Sequence, residues 1–155
     1  MFIIVQLWFK HIEQWSEEEN YVYEDARQDR EQYDKLISYC KEHEDMYMKI
    51  SEQVFGYMDE GLSVKEACAA MENNATSEQK EILDQTSLSY PYEGNFAEFS
   101  GNAIYYNSHR GLNIKVVYIH EYSEEVEGQI TSIEYTYIEK INDHLYVFYT
   151  DFPYT

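Results

Sequence analysis

A chain of 155 residues, 44% apolar and 26% charged, fits one globular domain with an ordinary hydrophobic core. Its 30 acidic residues against 11 basic ones give a formal charge of -19, and a surface that negative repels phosphate backbones and anionic membranes. Direct nucleic-acid binding and a membrane-surface role are therefore disfavoured from the start.

Helix-forming Glu, Lys, Gln and Ala dominate up to about position 89, and Tyr, Ile, Val, Thr and Phe dominate from Tyr90 onward. The order implies an α+β fold: N-terminal helices, one of them long and amphipathic, then a C-terminal antiparallel β-meander of four or five strands. The whole of 1–155 reads as a single domain, with a helical part over 1–89 and a sheet part over 90–155, since no Gly-, Ser- or Pro-rich linker divides it.

Ile4, Trp8, Ile12 and Trp15 recur at helical spacing, which supports a first helix from about Phe2 to Glu19. The β-branched run within Met1–Val5 supports a strand there instead. From Glu24 to Glu60, Ala26, Tyr33, Cys40, Tyr47 and Val54 repeat every seven residues, with Leu36, His43, Ile50 and Tyr57 offset by three. This is the long helix; unbroken it would reach about 55 Å, so it must bend, break or project as a dimerisation face. Gly61 closes it as a left-handed residue. In GLSVKEACAAMENNATSEQKEIL, Ser63 with Glu66 and Thr76 with Gln79 have capping-box spacing and open two short helices.

Alternation of Leu112, Ile114, Val116, Tyr118 and His120 marks a strand between SHRG and SEEVEG. A further strand is expected from about Gln129 to Ile141 and a last one at LYVFYTDF, with one or two more within Phe96–Asn107. The helices should cover one sheet face, leaving the other open to water or a partner.

Chemistry is harder to find. His11, His43, His109, His120 and His144 have no second ligand at metal-binding spacing, and His120 and Glu121 point to opposite faces of a strand. There is no nucleophile elbow, phosphate-binding glycine loop or CxxC motif. Glu17, Glu18, Glu19, Glu24 and Asp25 lack the alternation and glycine of a calcium loop. No catalytic residue, metal or cofactor is expected. Cys40 and Cys68 sit on apolar helix positions, as buried free thiols do in a reduced, cytoplasmic protein. The two short helices at 61–83 have a helix-turn-helix pattern, but the second carries Lys80 against Glu78, Glu81 and Asp84, the wrong sign for a DNA reader.

What remains is charge and tyrosine. A charge of -19 exceeds what solubility requires and favours fast association with a basic partner. The expected contact surface joins Glu121, Tyr122, Glu124, Glu125, Glu127, Tyr135 and Tyr137 to the acidic group Glu17, Glu18, Glu19, Glu24 and Asp25. Tyr105, Tyr106, Tyr146 and Tyr149 are further tyrosines that would extend it if they faced outward. The expected function is non-enzymatic: an inhibitor that neutralises a basic protein partner, a nuclease or nucleic-acid-binding effector, as a nucleic-acid mimic of the anti-defence or anti-CRISPR kind or a toxin immunity protein or antitoxin does. The alternatives are a structural or regulatory protein that forms a helix-mediated homodimer, and a hydrolase with an acidic site.

Overall fold

The computed structural model describes residues 29–91, 99–108, 114–134 and 136–150. The chain divides into two compact units, 1–34 and 35–155. In the first, the described residues 29–34 are helical, and the Arg30 guanidinium lies 5.8 Å from the Tyr33 ring centre. The expected helix Phe2–Glu19, its strand alternative at Met1–Val5, and Glu17, Glu18, Glu19, Glu24 and Asp25 lie outside the described residues.

The second unit is α+β, with helices preceding a five-stranded antiparallel sheet. Helix α1 (residues 29–42, of which 35–42 belong to this unit) is followed by α2 (Glu44–Asp59). The long heptad pattern is thus broken at His43, whose backbone leaves helical values (φ -113°, ψ 22°) while its amide still donates to the Tyr39 carbonyl at 3.0 Å. The hydrogen bonds continue across this residue, Tyr47 N donating to the His43 carbonyl at 3.1 Å, and Cys40, Tyr47, Ile50 and Val54 all bury into this unit. Gly61 closes α2 at φ 106°, a conformation that a Cβ disfavours.

Helices α3 (Val64–Asn74) and α4 (Ser77–Leu83) follow the capping signals. The Ser63 side chain accepts from the Glu66 amide, and Thr76 with Gln79 forms a complete reciprocal box. Gln79 has a second role: its side-chain nitrogen donates to Gln53 on α2 at 2.7 Å, which lets a buried amide tie α4 to α2.

The strands are β1 (Thr86–Ser89), β2 (Ala103–Ser108), β3 (Ile114–Ile119), β4 (Thr136–Lys140) and β5 (Leu145–Thr150), in the order β1-β2-β3-β5-β4. Helix α5 (Glu124–Thr131) joins β3 to β4. The strand expected from Gln129 to Ile141 therefore starts only at Thr136, because Ser123 caps the Val126 amide and SEEVEGQIT coils into α5. Strands β3 and β4 are both antiparallel to β5, hence parallel to each other, and α5 crosses over between them. That crossover covers the face expected to be open: Ile130 buries against Tyr105, Val117, Ile119, Tyr146 and Phe148.

On the opposite face, Tyr106 is the centre of the packing. Its ring meets Tyr47 edge-on at 4.9 Å, its hydroxyl donates to the Tyr47 carbonyl at 3.2 Å, and Ser51 Oγ lies 2.6 Å from the same hydroxyl. Burial pushes the phenol well above its ordinary range, so it stays a neutral donor. We expect Tyr106→Phe to keep the ring packing but leave the Ser51 hydroxyl and the Tyr47 carbonyl short of a partner. The cost should be about 1–3 kcal/mol in urea unfolding; an unchanged midpoint would show that this polar node contributes nothing.

Candidate functional site

The outward residues expected to form one contact surface are distributed over two sheet faces. Alternation along β4 puts Thr136, Ile138 and Lys140 toward α5, and Tyr137 and Glu139 toward α1 and α2. Ile138 accordingly packs against the core beneath α5, whereas Glu139 reaches Lys41 of α1 at 3.7 Å. Tyr137 is 50% exposed and stacks on Tyr149 of β5, with ring centres 5.7 Å apart. It is the large hydrophobic side chain left exposed among the described residues, and it lies on the face away from Glu124 and Glu125. Tyr105, Tyr106, Tyr146 and Tyr149 are buried, while the side chain of Tyr135 lies outside the described residues.

Around the start of α5 the geometry is more cohesive. Asn102 clamps the backbone of Glu121 from both sides, its Oδ1 accepting from the Glu121 amide at 2.7 Å and its Nδ2 donating to the Glu121 carbonyl at 3.1 Å. Ser123 then caps α5, and Glu124, Glu125 and Glu127 occupy the first turn, where carboxylates complement the exposed amides of the helix N-terminus. The carboxylates of Glu121, Glu124 and Glu125 are on exposed residues. Glu127 is engaged instead: it accepts from the Tyr122 hydroxyl and from Lys140 Nζ at 2.7 Å, and Lys140 also reaches Asp143 at 3.1 Å. The ammonium sits 5.2 Å from the Tyr122 ring centre. Of the expected residues, Glu121, Glu124 and Glu125 thus form an exposed acidic rim. Glu127 and Tyr122 belong to a clasp that also includes Lys140 and Asp143.

Those last two were not foreseen. Lys140 and Glu127 are 13 positions apart on different elements, so no spacing rule links them. The one usable signal is scarcity: Arg110, Lys115 and Lys140 are the bases that follow Tyr90, and each has many carboxylates competing for it.

Three other groups with chemical potential have structural surroundings. The His120 ring stacks on Phe55 with centres 4.0 Å apart and planes within 3°, and its buried Nδ1 has no hydrogen-bond partner among the described residues. His144 Nδ1 lies 2.8 Å from the Ile119 carbonyl. Cys40 and Cys68 are buried and free, and burial first, then nearby Glu44 and Glu72 respectively, pushes their thiols up to about 12 and about 11. Such thiols are poor nucleophiles at neutral pH. Among the described residues no group of His, Cys, Asp and Glu is arranged to hold a metal ion, and no helix is long and apolar enough to cross a membrane.

The clasp has a pH signature. Hydrogen bonding from Lys140 first, and Tyr122 second, holds the Glu127 carboxyl below its ordinary value of 4.5. A depressed carboxylate contributes stability that is present above that value and lost as pH falls through the folded one. Lys140→Met should therefore flatten the loss of stability below pH 4.5, with the difference between variant and wild type shrinking as Glu127 protonates. Urea midpoints measured across the acid range check this; parallel curves would remove Glu127 from the acid response. Comparison with protein-family models, curated proteins and solved structures finds no match to this chain.

Proposed function

We propose that the chain is a non-enzymatic acidic binding protein that occupies and neutralises a basic, nucleic-acid-handling protein. One observation carries the reading: no described Asp or Glu is buried, so their charge is presented at the surface. A net charge of -19 on a small domain costs stability through self-repulsion, and a basic partner offsets that cost while accelerating encounter. The rim of Glu121, Glu124 and Glu125 at the start of α5 is the proposed centre of contact. Glu124 and Glu125 are held on a regular element, and Glu121 is fixed through its backbone by Asn102. Imitation of a nucleic acid, as in an anti-defence, anti-CRISPR or immunity protein, is the corresponding mode of inhibition.

The helix-mediated homodimer has less support. Tyr47 and Ile50, the residues of its expected seam, are both fully buried within the chain. Tyr47→Glu therefore tests folding, and loss of the fold is the expected result.

The tagged full chain, incubated with lysate of its native host, should retain a basic protein that nucleic acid displaces. Once that protein is purified, raising salt from low to high ionic strength should weaken the complex, and the triple variant E121K/E124K/E125K should lose at least about tenfold in affinity, or ~1.4 kcal/mol. A control variant, E66Q/E72Q on α3, should bind as wild type. A complex indifferent to both salt and charge reversal would rule the proposal out.

A further inference from the structure

Beneath α5 lies a continuous apolar surface of Tyr105, Val117, Ile119, Tyr146 and Phe148, joined by Phe99. A cover over such a surface would normally be long and heavily anchored, and α5 is neither. It has eight residues, fewer than an isolated helix needs for stability. Its apolar anchors are Ile130, which is fully buried, and the partly buried Val126 and Ile133. The polar anchor is the clasp from Glu127 to Lys140 and Asp143, solvent-accessible and hence weak.

Gly128 sits in the middle of this helix. A Cβ built there meets nothing within 4 Å, and its φ is not in the left-handed region. Neither packing nor backbone conformation requires glycine at this place, yet glycine weakens a helix more than any residue except proline. The two ends of the segment are firmly fixed. Asn102 pins the Glu121 backbone on one side, and the β4–β5 ladder starts on the other at Thr136, whose hydroxyl lies 3.2 Å from that of Thr150.

We propose that residues 122–134 form a lid hinged between Glu121 and Thr136, which opens by local unfolding of α5 while the sheet stays intact and uncovers the apolar face of β3 and β5. The glycine sets how often it opens, and the clasp with Ile130 returns it to the sheet. Glu124 and Glu125 ride on this lid, so its opening also disperses the acidic rim proposed above; hydrogen exchange reads the opening with no partner present, so the two proposals fail separately.

Native-state hydrogen exchange on the full chain tests this. The hydrogen-bonded amides of 127–133 should exchange at least about 100-fold faster than those of β3 and β5. Gly128→Ala should slow exchange in α5 by about fivefold, the equivalent of the ~1 kcal/mol difference in helix propensity; strand amides that exchange through global unfolding should slow by no more than the same factor, so the gap between helix and strands persists. Lys140→Met should speed exchange in α5. If α5 and the strands exchange at one rate in the wild type and in both variants, the helix opens only with the whole fold and the lid does not exist.

Discussion

Strand β5 has no exposed residue, although its sequence, LYVFYT, alternates in no way that would announce two buried faces. Most other features of the sheet answer to that constraint. Because β5 lies between β3 and β4, its backbone is paired along both edges, and its side chains need cover above and below. Helix α2 lies on the face of Tyr106 and Tyr118, where Tyr47 and Phe55 meet those rings. The opposite cover cannot come from the N-terminal helices, so the connection from β3 to β4 must provide it, and it does so by coiling into α5.

The turn between β4 and β5 shows how the two covers are tied to the same strand. Asn142 Oδ1 accepts from the amides of His144 and Leu145, which forms the turn, while its Nδ2 donates to Glu44 at the start of α2. Next to it, Asp143 receives Lys140, whose other bond leads to Glu127 of α5. Thus one four-residue connection touches α2 directly and is linked to α5 through Lys140. It uses Asn chemistry toward the buried side and charge toward the solvent side.

The distribution of charge follows from the same construction. Tyrosine can enter the core where its hydroxyl finds a donor or acceptor, as Tyr106 and Tyr146 do. Carboxylates cannot do so without a paired cation, and cations are few. Among the described residues the result is an aromatic interior inside an acidic shell, with Tyr137 as the large hydrophobic ring left exposed. The shell is what the proposed function uses; the aromatic interior resists the repulsion that the shell creates.

Local signals in the sequence were sufficient wherever a few adjacent residues decide the backbone. Ser63 and Thr76 start their helices, Gly61 ends one, and the alternation around Val116 makes a strand, because capping, φ preference and pleat act within four or five positions. The sequence also determined the fold class and the sign of the surface. It could not determine which strand β5 would neighbour, that SEEVEGQIT would be a cover for it, or that Lys140 would take Glu127 out of the acidic rim. Nor could it place Tyr137 and Glu124 on opposite faces. These depend on strand order and on pairings between distant residues, and the energy that selects them is the burial of β5 on both sides, which exists only after the whole sheet has closed around it.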